Sequence, residues 1–113
     1  MPITYIRTDE LMRVRTPENG GEIVEIVNRE LCGAEDVSAS LRWLEHGESL
    51  MASPLSGHHQ LIYLIEGEGE IELEDQKYQA ESGAGVYLAP EEAARIRATG
   101  NSTLKLLHLL SVT

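Results

Sequence analysis

The alternation of apolar and polar residues predicts a chain built from short strands. In residues 37–43 the odd positions are apolar and the even positions are Ser or Arg, which is the two-residue period of a strand with one covered face. Residues 60–65 are almost continuously apolar, as in a central strand. Residues 103–112 form the last strand candidate. The pattern indicates β-structure at three separate places along the chain.

Turn residues divide the chain at close intervals. A Glu-Gly-Glu-Gly stretch at 66–69 separates the apolar strand from a strand in which Ile71 and Leu73 alternate with glutamates, which indicates a hairpin. Further breaks occur at 19–21, 75–76, 82–83 and 90. The remaining strand candidates are 3–6, 11–15, 22–27, 77–80 and 86–88, with one possible helical turn at 10–15. Many short strands with frequent turns predict an all-β sandwich or barrel that covers residues 1–113 as a single domain.

Composition excludes several classes of function. The chain has 113 residues, 42% of them apolar, which suffices for one core but not for a two-domain enzyme. The net charge is −10 and the only lysines are Lys77 and Lys105, so we expect no nucleic-acid binding. A single cysteine, Cys32, excludes an intrachain disulfide and a cysteine metal cluster. No apolar run approaches the roughly 18 residues of a membrane span, and we expect a cytoplasmic protein.

Two segments resemble the sequence motifs of the cupin family. Residues 63–71 (YLIEGEGEI) resemble the strand and turn that close its first motif, and residues 82–90 (SGAGVYLAP) resemble the start of its second. Residues 95–98 resemble the strand that follows. The motif region is about 47–98, preceded by N-terminal strands in 1–36 and followed by a last strand at 103–112. The resemblance implies a small cupin-type jelly roll and, because cupins are commonly dimers, a homodimer.

The resemblance also identifies the positions at which most cupin enzymes hold a divalent metal. Anchoring the first motif on Gly67 puts Gln60 in the glutamate slot, and anchoring the second on Gly83 puts Ala94 in a histidine slot. A divalent ion needs anionic or imidazole donors. We therefore expect no metal and no other cofactor. The two remaining histidine slots fall on Pro54 and Ser56, or on Ser53 and Leu55 with the longer spacer.

Three histidines lie on strands near these positions. Strand parity places His58 on the same face as Gln60, which the resemblance turns towards the interior, and His59 on the opposite face. His108 alternates with Leu106 and Leu110 and is expected inside, where it would form an acid/base pair with Gln60. The alternatives are a rim position for His58 and a hydrogen-bonded core position for His108.

Other side chains are candidates for the wall of the pocket or for an interface. Ser56 and Gln60 could hydrogen-bond a ligand, and Trp43 and Tyr87 could supply pocket walls or pack in the core. Arg42 lies on the polar side of its strand and is expected to be a solvated or interface cation. The outer positions 107 and 109 are both leucine, and with residues 61, 63 and 65 they predict a face covered by a second subunit. The glutamates of 66–75 predict a solvated hairpin.

Three hypotheses for function follow. In the first, a metal-independent cupin binds a small organic molecule, with His58 and His108 as catalytic residues for isomerisation, epimerisation, dehydration or cyclisation. Its ligand-binding residues would be Ser56, Gln60, Tyr87 and Trp43. In the second, the protein is a non-catalytic sensor or dimerisation module. In the third and weakest, a displaced metal site uses His58 and His108, with His46 as a further ligand candidate.

Overall fold

Strands dominate the structure. The computed structural model describes residues 11–17 and 19–112, and these form ten strands and one short helix. The elements are β1 (Val14–Arg15), β2 (Glu22–Val27), α1 (Arg29–Cys32), β3 (Val37–Leu44), β4 (Ser49–Ala52), β5 (His58–Glu66), β6 (Glu68–Leu73), β7 (Gln76–Glu81), β8 (Gly85–Leu88), β9 (Ala94–Ala98) and β10 (Leu104–Val112).

The strands form two antiparallel sheets. The larger has the order β1-β2-β3-β10-β5-β8 and the smaller has the order β4-β9-β6-β7. This arrangement confirms the predicted all-β, cupin-type jelly roll. The strand predicted at 3–6 lies outside the described residues, and that predicted at 11–15 is reduced to β1. No helix among the described residues is long and apolar enough to cross a membrane.

Two elements were absent from the sequence prediction. The β4 strand has only four residues, and its buried Leu50 and Ala52 alternate with exposed Met51, a pattern too short to read by period alone. The helix α1 is a single turn between β2 and β3. Both elements lie at connections between longer strands, where local propensity carries little information.

Apolar side chains from both sheets pack together in the interior, by which we mean the space between the sheets. The large sheet contributes side chains such as Ile62, Leu64 and Leu106, and the small sheet contributes Ile71 and Ile96. Ile62, Leu64, Ile96 and Leu106 are each completely inaccessible to solvent. Burial of apolar surface on this scale is the main force holding two sheets together. Open space must therefore lie towards the edges of the interior.

Strand register decides which side chains reach the interior. Residues directly opposite each other on paired strands project to the same side of a sheet. His108 of β10 pairs with Ile62 of β5 and with Ser40 of β3. Ile62 is in the buried core, so His108 and Ser40 also point inwards. The predicted inward orientation of His108 is confirmed.

The same register corrects the prediction for Arg42. Arg42 pairs with Leu106, and Leu106 pairs with the core residue Leu64, so Arg42 faces the interior and is not on a solvated face. The prediction failed because the outer face of β10 is apolar, with Leu107 and Leu109, and the apolar side of β3 pairs with that outer face. The polar side of β3 is the inner one.

The outer face of the large sheet is apolar at its centre. Leu41 pairs with Leu107, and Leu107 pairs with Tyr63. Leu61 is 39% exposed, Tyr63 41% and Tyr87 59%. The structure thus confirms that residues 59, 61 and 63 point away from Gln60, and it leaves a contiguous set of large apolar side chains accessible.

The acidic hairpin is solvated, as predicted. Most of its carboxylates are exposed, and Glu70 of β6 lies beside Arg97 of β9, with Oε1 3.5 Å from Nη2. Arg95 pairs with Glu72 on the same outer face of the small sheet. These cross-strand pairs place opposite charges next to each other at the surface. The hairpin therefore contributes no charge to the interior.

A tight turn joins β5 to β6. Gly67 has φ = 92°, in the left-handed region that favours glycine. A Cβ atom at this position would lie 2.7 Å from the carbonyl oxygen of Thr103. Glycine is therefore required both by backbone conformation and by the close approach of the chain that precedes β10. The turn fixes the start of β6 relative to β10.

Candidate functional site

A cavity lined by both polar and apolar side chains lies on the inner face of β2, β3 and β10. Its volume is about 220 Å³. At roughly 30 Å³ per water molecule this holds about seven waters, or one small organic molecule. The polar side chains that line the cavity come from neighbouring strands. They are Glu25, Ser38, Ser40, Arg42 and His108.

A hydrogen bond connects His108 to Gln60. Nε2 of His108 lies 2.7 Å from Oε1 of Gln60, which is 2% exposed. The amide nitrogen of Gln60 donates to the carbonyl oxygen of Ser53 at 2.8 Å. A carbonyl oxygen can only accept, so the amide nitrogen must face Ser53 and the amide oxygen must face His108. Nε2 is therefore the protonated ring nitrogen of His108.

This arrangement leaves Nδ1 of neutral His108 as a proton acceptor. Burial lowers the pKa of His108 below its ordinary value, and the positive charge of Arg42 lowers it further. Both causes favour the neutral ring at neutral pH. A neutral imidazole with one fixed N–H and one available lone pair can act as a general base.

Arg42 is the second charged group of the cavity. Its Nη1 donates to the carbonyl oxygen of Gly20 at 2.7 Å and lies 3.5 Å from Oγ1 of Thr16. Its Nε is buried and has no hydrogen-bond partner. No carboxylate within 11–17 and 19–112 forms an ion pair with it. Burial lowers the pKa of Arg42 because the charged form loses hydration.

Glu25 is a carboxylate that lines the same cavity, and it pairs with Ser40, two residues from Arg42 on β3. The side chain is exposed, and its Oε2 accepts a hydrogen bond from Nδ2 of Asn28. The carboxylate of Glu25 therefore interacts with solvent and with Asn28, which lies in the connection between β2 and α1. Glu25 lies at the rim of the cavity and does not form an ion pair with the guanidinium of Arg42.

His58 lies outside this cavity. It pairs with Val112, four residues along β10 from His108, which corresponds to about 13 Å at the strand rise. Its Nδ1 donates to the carbonyl oxygen of Ser56 at 3.0 Å, and Ser56 itself is exposed. His58 lines a neighbouring cleft of about 180 Å³ that shares Ser38 and Leu110 with the cavity beside His108. The structure thus separates His58 from His108.

The two rings expected in the pocket wall lie on the opposite side of the sheet from His108 and do not line its cavity, whereas Tyr87 lines a separate cleft of about 890 Å³. Trp43 pairs with Lys105 on the outer face, and the guanidinium carbon of Arg13 is 3.8 Å from its ring centroid. Tyr87 stacks on His59 with 5.6 Å between ring centroids, and a hydrogen bond joins its hydroxyl to Nδ1 of His59. Trp43 and Tyr87 both occupy outward-facing positions of their strands.

The metal positions implied by the sequence motifs do not fit a metal. Both polar groups of Gln60 are used in hydrogen bonds, and Ala94 contributes only a buried methyl group. The described part of the chain has no group of three or more His, Cys, Asp or Glu side chains placed to hold a metal ion.

A displaced site formed by the three histidines is also contradicted. His46 follows the end of β3 at which Leu44 pairs with Leu104, and its Nδ1 donates to the carbonyl oxygen of Gly100 at 3.2 Å. His58 lies at the other end of the sheet. His46 and His58 are therefore at opposite ends of the interior, and neither shares a cavity with His108.

Comparison with known proteins gives a fold. No family model matches the sequence, and no curated protein matches it. KdgF from Halomonas sp. superposes with a TM-score of 0.80 at 19% identity, covering 97% of this chain and 95% of that one. The polyketide cyclase RemF from Streptomyces resistomycificus has a TM-score of 0.79 at 13% identity, covering 96% and 79%.

A third similar structure carries the family name in its description. An RmlC-like cupin from Shewanella frigidimarina has a TM-score of 0.76 at 14% identity, covering 98% of this chain and 92% of that one. At these identities the likeness shows the fold alone. The architecture predicted from the two sequence motifs is the architecture of these proteins.

The charge of Arg42 should be visible in the titration of His108. We expect Arg42→Gln to raise the pKa of His108, because the substitution removes a neighbouring positive charge. NMR titration of the His108 ring measures this. Arg97→Gln, which removes an exposed arginine from the other sheet, should leave the pKa unchanged. A pKa that stays the same or falls in Arg42→Gln would contradict the geometry.

The same pKa shift affects stability. The ordinary pKa of histidine is 6.5, and that of His108 in the folded protein is lower. As the pH falls below 6.5 the unfolded chain takes up this proton first, so the free energy of unfolding decreases. The penalty is absent above pH 6.5 and complete below the folded pKa. In His108→Gln this contribution should disappear from urea unfolding measured across that range.

Proposed function

We propose that this chain, which has the cupin fold, binds a small polar organic molecule beside His108 without a metal ion, and that His108 transfers protons within it. The observation that carries the proposal is the chain of hydrogen bonds from Ser53 through Gln60 to His108, which leaves Nδ1 as the acceptor in the cavity beside His108. Isomerisation, epimerisation, dehydration and cyclisation all require a proton to be removed at one atom and delivered at another.

The geometry supports both halves of such a reaction. Nδ1 accepts a proton from the bound molecule, and the resulting imidazolium keeps its Nε2–H bond to the amide oxygen of Gln60. The positive charge of Arg42 and the buried surroundings disfavour the imidazolium, so it returns the proton readily. Ser40, which pairs with His108 across the strands, places a hydroxyl on the same cavity.

The fold comparison supports the reaction class without assigning it. RemF is a polyketide cyclase, and cyclisation belongs to the set of reactions that one acid/base group can promote. The donor set supports the absence of a metal. Gln60, Ser56 and Ala94 stand at the motif positions, and together they offer neither charge nor imidazole.

A second candidate function is a non-catalytic sensor or assembly module. The observation that favours it is the apolar core, which fills the centre of the interior with side chains such as Leu88, Ile62 and Leu64. The two candidates differ in one property. A module binds its ligand at the cavity but moves no proton, whereas an enzyme exchanges a hydrogen of the ligand with solvent.

Solvent exchange tests the catalytic proposal. In D₂O with excess EDTA, small hydroxy and keto compounds that raise the melting temperature should lose a C–H signal in proton NMR. We expect His108→Gln to slow this exchange by roughly 100-fold or more, the usual contribution of a general base. His46→Gln, at the far end of β3, should exchange at the wild-type rate.

Two results would contradict the proposal in different ways. Exchange that starts only when a divalent metal is added would exclude metal-independent chemistry. Ligand binding without hydrogen exchange, at an affinity that His108→Gln leaves unchanged, would instead support a non-catalytic module. Circular dichroism of both variants shows whether they remain folded.

We also propose that a second copy of the chain covers the outer face of the large sheet. Leu61, Tyr63 and Tyr87 are accessible there at the centre of an apolar surface, and a two-fold contact pairs such a surface with itself.

Oligomeric state tests the covered face. Light scattering after gel filtration should give a dimer for the wild type and a monomer for Leu61→Glu, because the substitution buries an unpaired charge in the contact. Met51→Glu is the control, since Met51 is an exposed apolar residue on the small sheet. A monomeric wild type, or a dimer that survives Leu61→Glu, would refute the contact.

A further inference from the structure

We infer that the molecule bound beside His108 is a small organic acid whose carboxylate is held by the Nε–Nη2 edge of Arg42. The inference rests on the proposed function, because it names the class of ligand for the same cavity. It goes beyond that function by assigning recognition of the ligand to Arg42, a residue that neither accepts nor donates the transferred proton.

The hydrogen bonds of Arg42 within the described residues leave the Nε–Nη2 edge of the guanidinium, with its buried Nε, without a partner. Nη1 is directed to the carbonyl oxygen of Gly20 and the hydroxyl of Thr16. Within 11–17 and 19–112, neither Nε nor Nη2 has a hydrogen-bond partner. These two nitrogens present parallel N–H groups along one edge, which is the geometry that binds both oxygens of a carboxylate.

Charge gives a second, independent reason. Arg42 is partly buried against neutral groups, and a cation removed from water is costly unless an anion compensates it. The carboxylate on this cavity, Glu25, is exposed and is bonded to Asn28. Within residues 11–17 and 19–112, the positive charge of Arg42 therefore has no direct ion-pair partner. A ligand that brings its own negative charge supplies the missing counterion.

The position of Arg42 relative to His108 limits the size of the acid. Arg42 pairs with Leu106, which is two residues from His108 on β10. The backbone positions of Arg42 and His108 are therefore offset by about 7 Å along the strand direction. A carboxylate at Arg42 then brings carbon atoms next to it within reach of His108. A cavity of about 220 Å³ accommodates a molecule of this size. Hydroxy acids and keto acids with short carbon chains meet both conditions.

The neighbouring carboxylate favours a singly charged ligand. Glu25 lines the same cavity, so a phosphate group carrying close to two negative charges would be repelled more strongly than a carboxylate. A carboxylate neutralises Arg42 and leaves no excess charge at the inner end of the cavity. This distinguishes small acids from phosphorylated compounds.

The test compares matched acid and amide probes. 2-Hydroxypropanoate, 2-oxopropanoate and their uncharged amides are titrated against the labelled protein by NMR, with inorganic phosphate as a third probe. We expect at least one acid to shift signals of the cavity and to bind about tenfold or more tightly than its amide and than phosphate. Arg42→Lys keeps the charge but lacks the parallel N–H groups, and should weaken the acid about tenfold.

Controls separate this inference from the proposed function. Arg97→Gln, on the outer face of the small sheet, should bind the acid as the wild type does. His108→Gln should retain acid binding while losing proton exchange. If the amides bind as tightly as the acids and Arg42→Lys changes nothing, the carboxylate assignment is wrong while a neutral ligand remains for His108.

Two further outcomes of the titrations would contradict the assignment of a carboxylate ligand. Phosphate binding as tightly as the acid would overturn the assignment to a carboxylate. If none of the probes shifts signals of the cavity, both the carboxylate assignment and the choice of ligand class fail. Because Arg42→Lys retains a cation next to Gly20, we expect it to keep the fold, and its circular-dichroism spectrum should match that of the wild type.

Discussion

The hydrogen bond between Gln60 and His108 is the interaction on which the site depends. Ser53 offers a carbonyl oxygen, which fixes the orientation of the Gln60 amide, and the amide in turn fixes the proton on Nε2 of His108. Without that sequence of bonds, either ring nitrogen could carry the proton. With it, a buried neutral imidazole presents one defined acceptor to the cavity. The position that the motif pattern reserves for a glutamate therefore holds a residue that orients a histidine.

Packing determines where this polar pair can exist. The two sheets bury leucine and isoleucine side chains at the centre of the interior, so no open space remains there. Polar groups are concentrated on β2, β3 and the second half of β10, where Ser40 and Arg42 pair with the inward positions. Each polar group that is buried must have a partner, and the unpartnered Nε of Arg42 departs from that rule. Such a departure beside a cavity indicates a place for a ligand.

Much of the fold could be predicted from the sequence, because alternation, turn residues and two short motifs all pointed to the same β-architecture. The inward position of His108 followed from parity and was confirmed. Its hydrogen bond to Gln60 depends on the pairing of β10 with β5, which parity within one strand does not give. The inward position of Arg42 did not follow from parity, because parity within β3 shows that Arg42 opposes Trp43 but not which of them faces the core. Which of the two faces the core depends on the pairing of β3 with β10. The outer leucines of β10, Leu107 and Leu109, were visible in the sequence and indicated that the apolar side of β3 could face outwards. The outward position of Trp43 depends on the same pairing of β3 with β10. The outward position of Tyr87 depends on the register of β8 with β5.

The central claim is that His108 is neutral, with its proton on Nε2 and its lone pair on Nδ1. Correlation of the ring carbon-bound protons of His108 with both ring nitrogens, in ¹⁵N-labelled protein at pH 7, reports the protonation of each nitrogen separately. The account predicts a protonated Nε2 and an unprotonated Nδ1 in the wild type. A protonated Nδ1, whether alone or together with Nε2, would contradict it.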